Sequence, residues 1–319
     1  MRKGEKSPST MSLIEFIEHF GTEEQCRAHL FAMRFGSGFV CPRCGHMHGV
    51  EIKTRLSMQC SNCGYQQSAT VGTVMHDTKL PIQKWYYAIY LITSGKRGMS
   101  AKELQRHIKV TYKTAWYINQ RIRSAMASAD DKYKLDGVVT VDEAFFTGRE
   151  ENGAVPKRGR GTSKTKVIVA VSLNEAGHPQ YAKMRVVENF KAKTVEQFMY
   201  ANVAPNSVIT TDGFSSYRSQ NLKKDYFHDF ANFNKNHKDS NVKWLHILIS
   251  NAKAFILMTI PFATLKAQNG MKPICSPWAL FFCTIYLRSR YTTEHVEVSV
   301  QPSLADRILM CADHHFKHK

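Results

Sequence analysis

The 319-residue sequence has no uninterrupted apolar run of membrane-spanning length. Its most apolar stretches, Leu245–Pro261 and Trp278–Leu287, contain His, Lys or Asn, or are too short. The N-terminus, MRKGEKSPST, is basic but lacks the apolar core of a signal peptide. These two absences argue against a membrane partner and predict a cytoplasmic protein. Internal repeats and low-complexity linkers are also missing, which excludes a solenoid or an array. Acidic residues are scarce: 26 Asp and Glu stand against 44 Lys and Arg, a formal net charge of +18. Such an excess suits a protein that neutralises phosphates, against the plainer alternative of a solvated basic surface.

What is present is ordinary for a globular chain, with 43% hydrophobic and 22% charged residues and length enough for two or three domains. Apolar residues recur at helical spacing over 11–35, with Gly21-Thr22 breaking them into two helices, and again over 79–127. From Gly137 the period changes. Strands are expected at 137–147, 166–173, 180–187, 207–212 and 225–230, with helices at 191–204, 214–222 and 242–259. That order predicts an α/β domain with a mixed sheet. The charged stretch Asp130–Lys134 marks the main boundary.

Eight cysteines fall into two groups. Cys26, Cys275, Cys283 and Cys311 are scattered, and in a reducing compartment they read as small buried residues. Cys41, Cys44, Cys60 and Cys63 form Cys-x2-Cys-x15-Cys-x2-Cys. Each knuckle brings two thiolates to one point, and the spacer lets a hairpin close a tetrahedron around structural Zn²⁺. Gly45 and Gly64 follow each knuckle and relieve its tight turn. Four thiolates close the site, so it should hold metal without catalysing.

Asp142, in GVVTVDEAFFTG, and Asp212, in SVITTDGFSSY, each end or interrupt a β-branched run that reads as a buried strand. A carboxylate there needs a hydrogen bond, a cation or a metal. Two of them in a basic chain point to metal-dependent chemistry on nucleic acid; an edge strand and an ordinary turn are the alternative. The later helix VKWLHILISNAKAFILMT contains no Asp or Glu. A helix advances about 100° per residue, so His246 and Lys253 are nearly eclipsed while Asn251 points roughly 140° away from His246. A hydrogen-bonded core histidine is the alternative to a site role for His246. Glu143 falls on the strand face opposite Asp142.

Residues 99–126 suggest a helix-turn-helix, with Ser100 and Thr111 as caps and Leu104, Ile108, Val110, Ala115, Trp116 and Ile122 as its interior. Tyr112, Lys113, Gln120, Arg121 and Arg123 would then face DNA. A basic loop, PKRGRGTSKTK, adds Lys157, Arg158, Arg160, Lys164 and Lys166. An ordinary helical hairpin and a solvated loop are the alternatives.

Taken together, FVCPRCGH, CSNCGYQQSATVGTVMHDTKLPIQKW, KTAWYINQRIRSAM, LDGVVTVDEAFFTGR, KRGRGTSKTKV, TTDGFSSY and WLHILISNAKAF resemble prokaryotic insertion-sequence transposases that join an N-terminal zinc ribbon to a DDE-type, RNase H-like core. The resemblance implies a helical segment over 1–38, a zinc ribbon over 39–75, a helix-turn-helix region over 76–130, a catalytic core over 135–262 and an atypical tail over 263–319. It implies that Asp142 and Asp212 hold catalytic Mg²⁺ or Mn²⁺, with His246 as third ligand, Asn251 as the fallback, and Lys253 as the downstream basic residue. The implied partners are double-stranded DNA at the element's inverted repeats and at the target, bound by a homo-oligomer. Competing readings are a DNA-binding regulator that has lost cleavage, and a stand-alone metal-dependent nuclease. After Leu257 the chain reads Met258-Thr259-Ile260-Pro261, where the family has a Gly-Thr turn.

Overall fold

The structure is a computed structural model and describes residues 11–94, 98–130, 133–146, 164–211, 215–217, 219–230 and 240–259. The chain divides into two compact units, one carrying the N-terminal helices and the cysteine segment, the other beginning near Asp130.

In the first unit α1 (Leu13–Phe20) and α2 (Glu23–Phe35) each start with a capping box, Ser12 with Glu15 and Thr22 with Gln25. Gly21 separates them, since a Cβ there would strike the Ile17 carbonyl. Both pack on α3 (Ile82–Ser94): Phe16 stacks on Tyr90 at 4.3 Å, and the His29 ring nitrogen lies 2.8 Å from the Tyr86 hydroxyl. Strands β1 (Gly49–Ile52), β2 (Ser57–Cys60) and β3 (Gln66–Ser68) form an antiparallel sheet between α2 and α3 in sequence. Next come α4 (Ala101–Ile108) and α5 (Tyr112–Asp130), with Thr111 Oγ1 accepting from the Thr114 amide as the cap.

The second unit is built on a five-stranded sheet in the order β6-β5-β4-β7-β8. Its strands are β4 (Val138–Phe146), β5 (Thr165–Leu173), β6 (Pro179–Val187), β7 (Val208–Thr211) and β8 (Phe227–Phe230). β4, β5 and β6 pair antiparallel, while β7 joins β4, and β8 joins β7, in parallel. Helices α6 (Ala192–Asn202) and α7 (Gln220–Asp225) supply the crossovers, and α8 (Ser240–Thr259) ends the described chain. This is the mixed sheet that the element order predicts, and it fits the RNase H-like core that the resemblance implies. The helix expected at 214–222 is instead a 3-10 turn at Ser215–Tyr217 followed by α7. Ser219 restarts it, accepting from the Leu222 amide as an N-cap. Among the described residues no helix is long and apolar enough to cross a membrane.

Candidate functional site

The cysteine quartet is closed. Its four sulfurs lie within 4.8 Å of one another, and the Cys41–Cys63 and Cys44–Cys60 pairs are 3.6 Å apart. A tetrahedron of thiolates about 2.3 Å from Zn²⁺ has edges of roughly 3.8 Å, so the donor set fits that ion. The two knuckles repeat one backbone pattern: the Gly45 amide donates to the Cys41 carbonyl and the Gly64 amide to the Cys60 carbonyl. Gly45 and Gly64 sit at φ +71° and +70°, a region that glycine enters without strain. The Cys63 amide, aimed at the Cys60 sulfur, pulls that thiol down to about 7, while against the Tyr65 amide burial and the other three sulfurs push Cys63 up, so the quartet shares its protons and a metal would displace them. Among the described residues this is the one group of three or more Cys, His, Asp or Glu side chains close enough to share an ion.

In the second unit, β4 alternates. Val139 and Val141 join Ile168, Ala170 and Ile209 in a core shared with Val195, Phe198 and Met199 of α6 and Leu222 of α7. Thr140, Asp142, Ala144 and Phe146 therefore share the other face. α8 covers that face, its buried Leu245, Leu248, Ile249 and Ala252 spaced as one helical stripe. Its direction is set at both ends. Trp244 Nε1 donates to the Gly177 carbonyl at 3.0 Å, in the β5–β6 turn, and Lys253 Nζ lies 5.7 Å from the centre of the Phe146 ring.

Asp142 is half-buried opposite Val169 of β5, and its Oδ1 accepts from the Glu143 amide at 2.7 Å. Thr140 pairs with Thr210 of β7, so each aspartate stands two residues beyond a partner of the last described β4–β7 pair. Asp212 itself lies outside the described residues. His246 and Lys253 are exposed on one flank of α8, and Asn251 is half-buried on the other.

The helical hairpin departs from expectation at three side chains. Leu104, Ile108, Ala115 and Ile122 are buried as predicted, but Trp116 is 50% exposed and belongs to the outer face. Arg121 is 3% exposed and donates to the His76 carbonyl and the Tyr117 hydroxyl, both at 2.7 Å, so it is held inside rather than offered to DNA. Arg123 is only partly exposed, and burial pushes its guanidinium down to about 10, still charged at neutral pH. Plotting Tyr112, Lys113 and Gln120 at 100° per residue places Trp116 among them, a signal the sequence carried and the habit of burying tryptophan overrode. Lys164 is exposed and Lys166 half-buried at the start of β5. Lys157, Arg158 and Arg160 lie outside the described residues, as does the tail over 263–319.

Both units have counterparts among known protein families. Residues 134–260 match the ISXO2-like transposase domain, and residues 21–66 match the transposase zinc-ribbon domain. A protein described as uncharacterized in transposable element ISH50 of Halobacterium salinarum is 26% identical over 216 residues, covering 63% of this chain and 71% of that one. Among solved structures, a pre-cleavage Mos1 transpososome is 10% identical with a TM-score of 0.23, covering 60% of this chain and 72% of that one. A Mos1 paired-end complex with the left transposon end is 11% identical with a TM-score of 0.24, over 60% and 71%. Those superpositions are loose, and the two domain models carry the assignment. With a ribbon match preceding a catalytic-domain match in one chain, the protein belongs to the zinc-ribbon, DDE-type transposases of insertion sequences.

Proposed function

We propose that Asp142, midway along β4, Asp212, the residue after β7, and His246 hold divalent metal, and that Lys253 contacts the scissile phosphate as the enzyme cuts element ends and joins them to target DNA. The observation that carries this is the parallel β4–β7 pairing, whose continuation by two residues would set the two aspartates side by side. Such a pair of carboxylates is costly without a cation between them.

The direction of α8 supports His246. Leu173 pairs with Val138, so the β5–β6 turn that receives Trp244 lies at the start of β4, whereas Lys253 reaches Phe146 at its end. Helix and strand therefore run the same way. Seven helical residues and three strand residues both advance about 10 Å, which sets His246 level with Glu143, within one residue of Asp142. Asn251, on the opposite flank, is the weaker ligand.

A bound divalent metal supplies polarisation of the phosphate and activation of the attacking oxygen. Asp142 and Asp212 contribute the hard oxygens, His246 a neutral ring nitrogen or an orienting hydrogen bond, and the Lys253 ammonium offsets phosphate charge. Imidazole suits Mg²⁺ less well than carboxylate does, so Mn²⁺ is expected to serve at least as well. The ion of the cysteine quartet is Zn²⁺, and a homo-oligomer holds the two ends.

Cleavage and joining of labelled element-end DNA, run with each metal, tests the assignment. His246→Ala should impair cleavage, Asn251→Ala should matter much less, and His246→Glu should preserve activity or shift its preference toward Mg²⁺. A larger loss from Asn251→Ala than from His246→Ala would transfer the third position to Asn251. The lack of any carboxylate among the α8 side chains favours one further reading, a DNA-binding regulator, which no cleavage by wild type in either metal would establish. Cleavage without joining would mark a nuclease.

The basic loop gives a second measurement. If Lys157, Arg158, Arg160, Lys164 and Lys166 meet phosphates, neutralising all five should reduce the slope of log affinity against log salt, by about 0.9 for each duplex phosphate that no longer has a cation beside it. An unchanged slope would return them to a solvated surface.

A further inference from the structure

We infer that the outer face of α5, centred on Trp116 and Tyr117, is the surface on which this transposase reads duplex DNA, with Arg121 as the positioning residue for Tyr117. The inference rests on the transposase reading and adds to it the side chains that recognise sequence. Tyr112, Lys113, Trp116, Tyr117 and Gln120 fall within an arc of about 140° over the first turns of the helix. The opposite arc is occupied by the buried Ala115, Ile118, Asn119 and Ile122. Trp116, Tyr112 and Tyr117 are 50%, 47% and 41% exposed. Three half-exposed rings on two turns form an apolar patch of the kind that marks a contact surface.

Charge selects the occupant. Lys102, Arg106, Lys109 and Lys113 are all exposed on α4, the turn and the start of α5, against the single exposed acid Glu103 among residues 101–117. A polyanion fits that rim, and the continuous phosphate charge of a duplex meets all four cations at once. The chemistry of the face also fits a major groove. A helix can enter it, a Gln amide matches the adenine edge, and ring faces pack on thymine methyls. The turn before α5 is fixed: Lys109 takes φ +49°, and its carbonyl accepts from Lys84 Nζ of α3 at 3.2 Å.

Tyr117 is held in place from behind. Arg121 anchors on the His76 carbonyl and donates to the Tyr117 hydroxyl, with its guanidinium carbon 5.4 Å from the centre of the same ring. A ring already fixed loses little entropy when DNA arrives. That gives a buried arginine in a basic DNA-binding segment a use other than touching phosphate.

The test uses full-length, zinc-loaded protein and two duplexes, one cut from the DNA flanking the gene and one scrambled to the same length and composition. Trp116→Ala should weaken binding to the flanking duplex by about 10-fold or more, the usual scale for disrupting recognition of one base pair, while scrambled binding and melting temperature change little. Acrylamide quenching should show a tryptophan shielded by duplex in wild type, and that shielding should vanish in Trp116→Phe. Tyr117→Phe and Arg121→Lys should each reduce the preference for the flanking duplex, and the double variant should lose no more than the worse single, as for two parts of one unit. Equal binding by Trp116→Ala with no shielding on either duplex would overturn the inference. A change of oligomeric state in Trp116→Ala at unchanged DNA affinity would assign the face to a second copy of the chain, overturning it equally. If Trp116 is shielded by both duplexes but wild type shows no preference, the surface stands and the reading of end recognition fails.

Discussion

Asp142→Asn and Asp212→Asn are each expected to abolish strand cleavage while leaving DNA binding intact. The substitution keeps the shape of the side chain and removes one negative charge. If the two carboxylates hold divalent metal as proposed, that charge is what the ion requires. Even partners that merely orient metal ligands cost about 10–100-fold when removed, so loss of a ligand should exceed roughly 100-fold. Binding should survive, because the cysteine quartet and α5 belong to the other compact unit. Gel-shift and cleavage assays on the same labelled duplex separate the two effects. Retained cleavage in either variant would remove that aspartate from the site.

The second large effect concerns the ribbon. One Zn²⁺ per chain should be found by metal analysis, and Cys60→Ser or a strong chelator should unfold the segment around β1–β3. These strands are four, four and three residues long and bury little apolar surface of their own, so the ion must supply their stability. Thiolate ribbons of this kind draw roughly 10–16 kcal/mol from zinc binding, far more than such short strands can replace. Specific end binding should weaken with it. Folded protein free of zinc would refute the assignment.

These two sites differ in how much of them the amino-acid order discloses. Ligand spacing in the ribbon is itself the geometry, because four sulfurs on two knuckles have few other ways to meet. The sheet was nearly as readable: the β-branched runs around Val139, Val169 and Ile209 are buried strands because alternation and branching suit no other element there. Trp116 shows where such reading stops. Its helical position was plain, but its hydrophobicity argued for the interior, and only the packing of Ile118 and Ile122 beneath α5 shows that the interior was already full. Arg121 errs in the opposite direction, a charge hidden because a carbonyl and a hydroxyl await it. No local pattern announces partners 45 and four residues away.

The parallel pairing of β4 with β7 joins residues about 70 positions apart, Val138 with Val208, whereas the cysteine sulfurs of the ribbon close over 22. Contacts of long sequence separation form late, since the intervening chain must be ordered first. During synthesis from the N-terminus the ribbon can therefore bind metal while the strands that carry the aspartates are still unmade. Nascent chains could grip DNA well before they could cut it. A ribosome-bound fragment ending before β7 should load zinc yet nick nothing.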